Sequence, residues 1–199
     1  MTVLYERRFC ILANYTILHL HSMLSNGVTN IDSVTPYDQY IDQAHEWGMT
    51  AMAFSEHGSV FQWVKKKLHM EELGMKFIAA EEFYLTNTLD EKIRDNYHCL
   101  LIAKNYDGVL ELNKLSSKSF NRDDNSFYYV PRITIDDVKH TSDNIIVSTA
   151  CLGGVLNKAP EPIRQDFFDW LCQHPDRCFL EIQPHISAEQ KRYNQALWA

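Results

Sequence analysis

Tyr15-Thr16-Ile17-Leu18-His19-Leu20-His21-Ser22 decides how this chain is read. A short apolar run leads into two histidines separated by one residue. Side chains alternate faces along a strand, so His19 and His21 point the same way. Two imidazoles on one face at a strand end can chelate one metal ion. The plainer alternative is an edge strand with two solvated histidines. The choice depends on whether other ligand-type residues recur where later strands begin or end.

Beyond a polar loop at 22–34, Thr35-Pro36 starts a helix as N-cap and first-turn proline. Tyr37, Tyr40, Ile41, Ala44 and Trp47 form its buried face, and Gly48 ends it. Residues 50–54 read as a strand closing on Ser55-Glu56-His57-Gly58. Val60, Phe61, Val64 and Leu68 make the apolar face of the next helix, stopped by Gly74. Residues 76–80 are a strand followed by Glu81-Glu82. Residues 98–103 are a buried strand, 105–119 a helix, 121–125 a polar turn and 143–149 a strand closing on Cys151-Leu152-Gly153-Gly154. A helix at 160–173 turns Ile163, Phe167 and Leu171 inward, and 178–182 is a further strand. Ser187 and Gln190 form a capping-box pattern for a last helix. That helix still runs at Ala199, which gives the expectation of a truncated chain.

Six strands alternating with helices predict an α/β fold, in the form of a β/α barrel, whose functional groups follow the carboxyl ends of strands. His19, His21, His57, Glu82 and Cys151 occupy such positions; His98 begins its strand and fits the rule less well. Glu81 points to the face opposite Glu82. Each has a bland alternative: a turn histidine, a solvated carboxylate, a small buried cysteine. Together they offer several imidazoles, a carboxylate and a thiol. That mixture suits Zn²⁺, Mn²⁺ or Fe²⁺ better than Mg²⁺ or Ca²⁺, and metal-assisted phosphoester hydrolysis is the natural reaction class.

The 199 residues allow one sizeable core and a single domain. Five cysteines, an odd count without CxxC spacing, point to reduced thiols and a cytoplasmic protein. No apolar run approaches the roughly 18 residues that span a bilayer, so no membrane partner is expected. A net charge of −7 excludes a broad basic face for duplex DNA, so bound cations would have to offset a phosphate substrate. There is no Walker loop, GxGxxG or GxSxG.

His19-Leu20-His21-Ser22 with Ser25, residues 48–58 through Glu56-His57-Gly58, Glu82-Phe83-Tyr84, residues 98–105, Pro131-Arg132-Ile133 and Ala150-Cys151-Leu152-Gly153-Gly154 run in an order that resembles the PHP (polymerase and histidinol phosphatase) domain. The resemblance is to the branch at the N-terminus of the bacterial or phage DNA polymerase III alpha subunit, a C-family DNA-directed DNA polymerase and nucleotidyltransferase. It implies a distorted TIM-like (β/α)7 barrel of the metal-dependent hydrolase type over 1–199, lacking its last strand. It carries His19, His21, His57, Glu82, His98 and Cys151 onto metal-ligand positions. The family's Asp before a Gly is absent at 26–30, and Asp32 is its expected replacement through a longer loop. Glu56 stands where the family has Asp and is at most supportive. The family's final Asp-x-His is not in the chain.

The resemblance implies a role in DNA replication, with two or three Zn²⁺, Mn²⁺ or Fe²⁺ sites and phosphoesterase or 3′–5′ exonuclease chemistry. The implied partners are the remainder of the polymerase alpha subunit, a single-stranded DNA end as substrate, and proofreading or clamp proteins. The alternatives are a stand-alone PHP phosphatase on a small phosphate ester, and a non-catalytic, metal-stabilised structural module.

Overall fold

The computed structural model describes residues 15–27 and 31–198; Cys10 and residues 28–30 of the first loop lie outside them. Strand β1 (Ala51–Phe54) runs parallel to β2 (Lys76–Thr86), with Ala51 opposite Lys76 and Phe54 opposite Ala79. Next to β2 lies β3 (Tyr97–Ala103), antiparallel, with Glu82 opposite Leu100 and Tyr84 opposite His98. A short β4 (Phe127–Tyr128) pairs with β5 (Val130–Thr134), which joins β2 in parallel. On the far side, β6 (Ile145–Ser148) is antiparallel to β3, and β7 (Cys178–Phe179) is parallel to β6.

Strict β/α alternation therefore fails between β2 and β3. No helix joins them, so the chain returns antiparallel. This explains the misfit of His98. Because β3 runs backwards, its first residues lie at the same end of the sheet as the last residues of β2.

The period of two sorts the sheet into two faces. Phe83, Leu85, Cys99, Leu101, Ile145 and Val147 face the helices and form the main core. Ala53, Ala80, Leu100, Ile102 and Ala150 form a smaller cluster on the opposite face. Glu82 shares the side of Ala80, whereas Glu81 is buried on the helix side, near the Ser116 hydroxyl of α3 (Tyr106–Ser119). Burial pushes the Glu81 carboxyl well above its ordinary value.

Several local readings need correction. The strand expected at 15–20 is reduced to one bridge, Ile17 to Met52, although Ala53 and Ser55 N–H still donate to the Ile17 and Leu20 carbonyls. Helix α1 (Tyr37–Glu46) is capped by Pro36 in an extended conformation, not by Thr35. Ile41 and Ala44 are buried, but Trp47 falls beyond the last turn and is 40% exposed.

Helix α2 (Trp63–Glu72) presents the opposite face from the one its apolar spacing suggests. Trp63, Lys66 and Met70 point inward, while Val64 is 70% and Leu68 54% exposed. On that inward face Trp63 and Met70 pack into the core, and Lys66 Nζ lies 2.6 Å from the buried Glu56 carboxylate.

Helices α4 (Ile135–Lys139) and α5 (Val155–Lys158) are short elements that periodicity does not reveal. Helix α6 (Glu161–Cys172) buries Phe167 and Leu171 as expected. The strand expected at 178–182 is only two residues long. In α7 (Ala188–Trp198), Gln190 N–H bonds Ser187 Oγ, but the Gln190 amide turns to Asn194 and does not complete the box. No helix among the described residues is long and apolar enough to cross a membrane.

Candidate metal centre

The strand arrangement brings the ends of four chain segments against the interior of β2, which runs on past the strand expected at 76–80. Glu82 stands at its centre, fully buried on the small-residue face of β2. His57 follows β1 and forms a parallel bridge with Glu82, its Nδ1 lying 2.6 Å from Glu82 Oε2. His19 Nε2 is 3.4 Å from Glu82 Oε1, His21 Nε2 is 3.3 Å from Oε2, and His98 Nδ1 is 3.3 Å from Oε1. His19 and His21 meet through their Nε2 atoms at 3.0 Å, as the shared face of the His-x-His pair requires.

Cys151 and Asp32 stand at the rim. Cys151 Sγ is 3.3 Å from His98 Nδ1 and accepts the Gly153 N–H at 3.3 Å. The preceding Ala150 has φ of +56°, a conformation that non-glycine residues adopt only when the surroundings impose it. Two glycines let this loop reach His98: a Cβ on Gly153 would lie 3.0 Å from the His98 ring, and one on Gly154 would overlap the Thr149 carbonyl oxygen. Asp32 Oδ2 lies 3.5 Å from His57 Nε2, its backbone held by Asn26 Oδ1.

Neither oxygen of Glu82 nor Nδ1 of His57 has a hydrogen-bond partner of proper geometry among the described residues. A fully buried carboxylate in that state is costly unless a cation satisfies it. His19, His21 and Glu82 form one group able to hold a metal ion; His57, Glu82 and His98 form a second. Glu82, common to both, can bridge them. The nitrogen and oxygen donors of these two groups fit metal ions.

Without metal the cluster holds protons. Burial would lower the His19 pKa, but Glu181 and Glu82 outweigh it and raise it to about 10. Burial likewise opposes protonation of His98, yet Cys151 and Glu82 push it up to about 9. His57 also moves upward against burial, because Glu82 and Asp32 face it. Burial would raise the Glu82 carboxyl, but the four surrounding imidazoles hold it well below the usual range.

The sequence reading did not single out Glu181, just after β7. Its Oε1 accepts from His19 Nδ1 at 2.6 Å, and its Oε2 accepts the Ser148 hydroxyl at 2.7 Å. The expected strand over 178–182 contains Glu181, so only the shorter β7 observed, ending at Phe179, leaves it at a strand end. Tyr84 stacks on His57, with ring centroids 5.5 Å apart.

An α/β domain with a buried carboxylate set among four imidazoles presents a centre able to hold metal ions. Residues 18–185 match the family model of the PHP domain, and the chain belongs to that family. DNA polymerase III subunit alpha of Aquifex aeolicus is 30% identical over 206 residues, covering 92% of this chain and 17% of the relative. The same subunit of Borreliella burgdorferi is 29% identical, covering 90% of the chain and 16% of the relative. That of Campylobacter jejuni is 34% identical, covering 73% and 12%. The chain thus spans less than a fifth of the length of these relatives. A solved structure from Bifidobacterium adolescentis, assigned as a metal-dependent phosphoesterase, superposes with a TM-score of 0.54 at 12% identity, covering 92% of this chain and 82% of that one. It shares the fold.

Proposed function

We propose that this chain is the PHP domain of a replicative DNA polymerase III alpha subunit, a single domain over 1–199, and that its centre hydrolyses phosphoesters. The observation that carries the reading is Glu82, fully buried with its two oxygens 2.6–3.4 Å from nitrogens of four imidazoles. In this reading His19, His21, His57, Glu82 and His98 hold Zn²⁺, Mn²⁺ or Fe²⁺, with Cys151 and Asp32 completing the shell from the rim. Divalent ions at that place supply Lewis acidity toward a phosphate ester and lower the pKa of water.

The rest falls to the chain's own residues. The imidazoles and Glu82 fix the position of positive charge, which a molecule of net charge −7 needs in order to receive a phosphate. Tyr84 stacks against His57 and limits its rotation. The TIM-like barrel belongs to the same reading, supported by the bond from His19, beside β1, to Glu181, beyond β7. The remainder of an alpha subunit is the proposed partner, and a single-stranded DNA 3′ end the proposed substrate.

An open cleft of about 1060 Å³ adjoins the cluster, walled by Ile17, Leu100, Ile102 and Ile146. No Lys or Arg lines it among the described residues to follow a nucleic-acid backbone, which favours a second reading, in which a small phosphate ester is the substrate. Nucleotide release from a labelled single strand and phosphate release from small esters, each with Mn²⁺ or Zn²⁺, test both. Faster release from DNA, abolished in a His19→Ala/His21→Ala variant, supports the exonuclease. Faster ester turnover supports the phosphatase, and bound metal without turnover supports a structural module. Absence of transition metal after metal-supplemented expression overturns the metal centre itself.

A further inference from the structure

We propose that two carboxylates outside the ligand set, Glu56 and Glu181, preset His21 and His19 as Nε2 ligands by holding their ring protons on Nδ1, Glu56 acting through Ser25. This rests on the metal reading above and adds positioning residues to it.

A neutral imidazole bears one proton, and only its bare nitrogen can bind a metal. Which nitrogen is bare depends on what the other one meets. For His21 the decisive group is Ser25. The Ser25 hydroxyl lies 2.5 Å from Glu56 Oε2, in buried surroundings. Glu56 also takes the Ser22 hydroxyl at 2.5 Å, the Ser22 N–H at 3.0 Å and Lys66 Nζ at 2.6 Å. Ringed by donors and paired with a buried ammonium, Glu56 is an acceptor only, so the single Ser25 proton is committed to it. The Ser25 oxygen is then left to accept. It takes the His57 N–H at 3.0 Å, and it stands 3.0 Å from His21 Nδ1. That second contact is a hydrogen bond only if His21 Nδ1 donates.

The His21 proton is thereby fixed on Nδ1, and its bare Nε2 faces Glu82 at 3.3 Å. Ser25 also ties down the backbone of His57, so one hydroxyl orients two of the imidazole positions.

Glu181 does the same for His19 without an intermediary. Its Oε1 is 2.6 Å from His19 Nδ1 and also receives the Gln183 amide at 2.8 Å, while Oε2 receives Ser148 at 2.7 Å. His19 Nδ1 must donate, and its Nε2 meets that of His21 at 3.0 Å. The two Nε2 atoms thus point at one position, where a metal ion would displace any proton left on His19 Nε2. Lys66, on the inward face of α2, donates to the same carboxylate at 2.6 Å and so leaves the Ser25 hydroxyl bonded to Oε2.

Long-range ¹H–¹⁵N spectra of the metal-free protein, at a pH where the His21 ring is neutral, read the tautomer directly. The expected result is a protonated Nδ1 and a bare Nε2 in wild type, the reverse in Ser25→Ala, and recovery in Ser25→Thr. A Zn²⁺ competition assay against a chromophoric chelator should show affinity about 10–100-fold weaker in Ser25→Ala. Glu181→Ala should weaken Zn²⁺ binding by a similar factor, and Glu181→Gln, whose amide oxygen can still accept, should restore part of it. This second arm carries the test if Ser25→Ala does not fold. A wild-type His21 protonated on Nε2, or unchanged tautomer and affinity in the variants, overturns the proposal. Wild-type protein that binds no Zn²⁺ yet shows the expected tautomer overturns the metal reading and leaves the preset histidines standing.

Discussion

Lys66 Nζ lies 2.6 Å from Glu56 Oε1, and both side chains are fully buried. The ammonium also sits 4.5 Å from the centroid of the Phe54 ring. The same carboxylate accepts the hydroxyls of Ser22 and Ser25 in the turn that follows His21. Removing one partner leaves the other charge buried and alone, so Lys66→Met should destabilise the domain by about 3–5 kcal/mol. Chemical denaturation measures this, and a change within 1 kcal/mol of zero would contradict the pairing.

The same pair predicts acid sensitivity. Burial would raise the Glu56 carboxyl, but Lys66, Ser22 and Ser25 outweigh it and hold it below its ordinary 4.5. The folded-state value is thus lower than the unfolded one. Its stabilisation is complete above the unfolded value and is lost as pH falls through the folded value. Stability measured from neutral pH into the acid range should therefore drop more in wild type than in Glu56→Gln, which has no charge to lose.

Metal uptake should release protons. His19, held at about 10, and His98, at about 9, keep their protons near neutral pH in the metal-free protein. Their folded values exceed the ordinary 6.5, so protonation stabilises the metal-free fold fully below 6.5 and ceases to do so as pH rises through 9–10. Calorimetric titration with Zn²⁺ in buffers of different ionisation enthalpy should show proton release near neutral pH that shrinks on the alkaline side. A buffer-independent heat near neutral pH would contradict the assignment.

The reading of α2 separates what a sequence shows from what it hides. Strand-end residues were legible, because a short apolar run followed by His57, Glu82 or Cys151 is a local pattern. Glu82 could be preferred over Glu81 only in the sense that one of them must face the site; the register against β3 makes the choice. Asp32 reaches the rim of the cluster through a loop whose path no periodicity describes. Glu181 is hidden because the sequence predicts a strand over 178–182 that contains it, whereas β7 ends at Phe179 and leaves it just beyond. The face of α2 was misread because Val64 and Leu68 look like a core stripe. Burying Lys66 contradicts that pattern, and only the unseen proximity of Glu56 makes it favourable. Likewise Trp47 completes an i, i+3, i+4 series on paper, but the helix ends one residue before it.

Those corrections change the expected mutational profile. Trp47→Ala, at a 40% exposed position past the end of α1, should cost well below the ~3–5 kcal/mol of a buried tryptophan. Val64→Ser and Leu68→Ser on the outer face of α2 should each stay within about 0.5 kcal/mol of wild type. Met70→Ala, at a fully buried position of the same helix, should cost about 2–5 kcal/mol. Thermal unfolding of the four variants checks the ranking.

The two glycines after Cys151 should separate metal binding from folding. A Cβ on Gly153 would lie 3.0 Å from His98 Cγ and 3.1 Å from its Nδ1. A side chain can yield by a few tenths of an ångström, so the ring should tilt at small cost to the fold. That tilt moves His98 Nδ1 relative to Glu82 Oε1, now 3.3 Å away, and to Cys151 Sγ, also at 3.3 Å. A Cβ on Gly154 instead meets the backbone oxygen of Thr149, which cannot move without disturbing the end of β6 and the N–H that Glu181 donates to Thr149 Oγ1. Gly153→Ala should therefore weaken Zn²⁺ affinity severalfold while lowering the melting temperature little. Gly154→Ala should lower the melting temperature clearly even in metal-free protein. Chelator competition and thermal melts on both variants decide it. Equal loss of stability with no change in Zn²⁺ affinity for Gly153→Ala would show that His98 is not part of the metal shell.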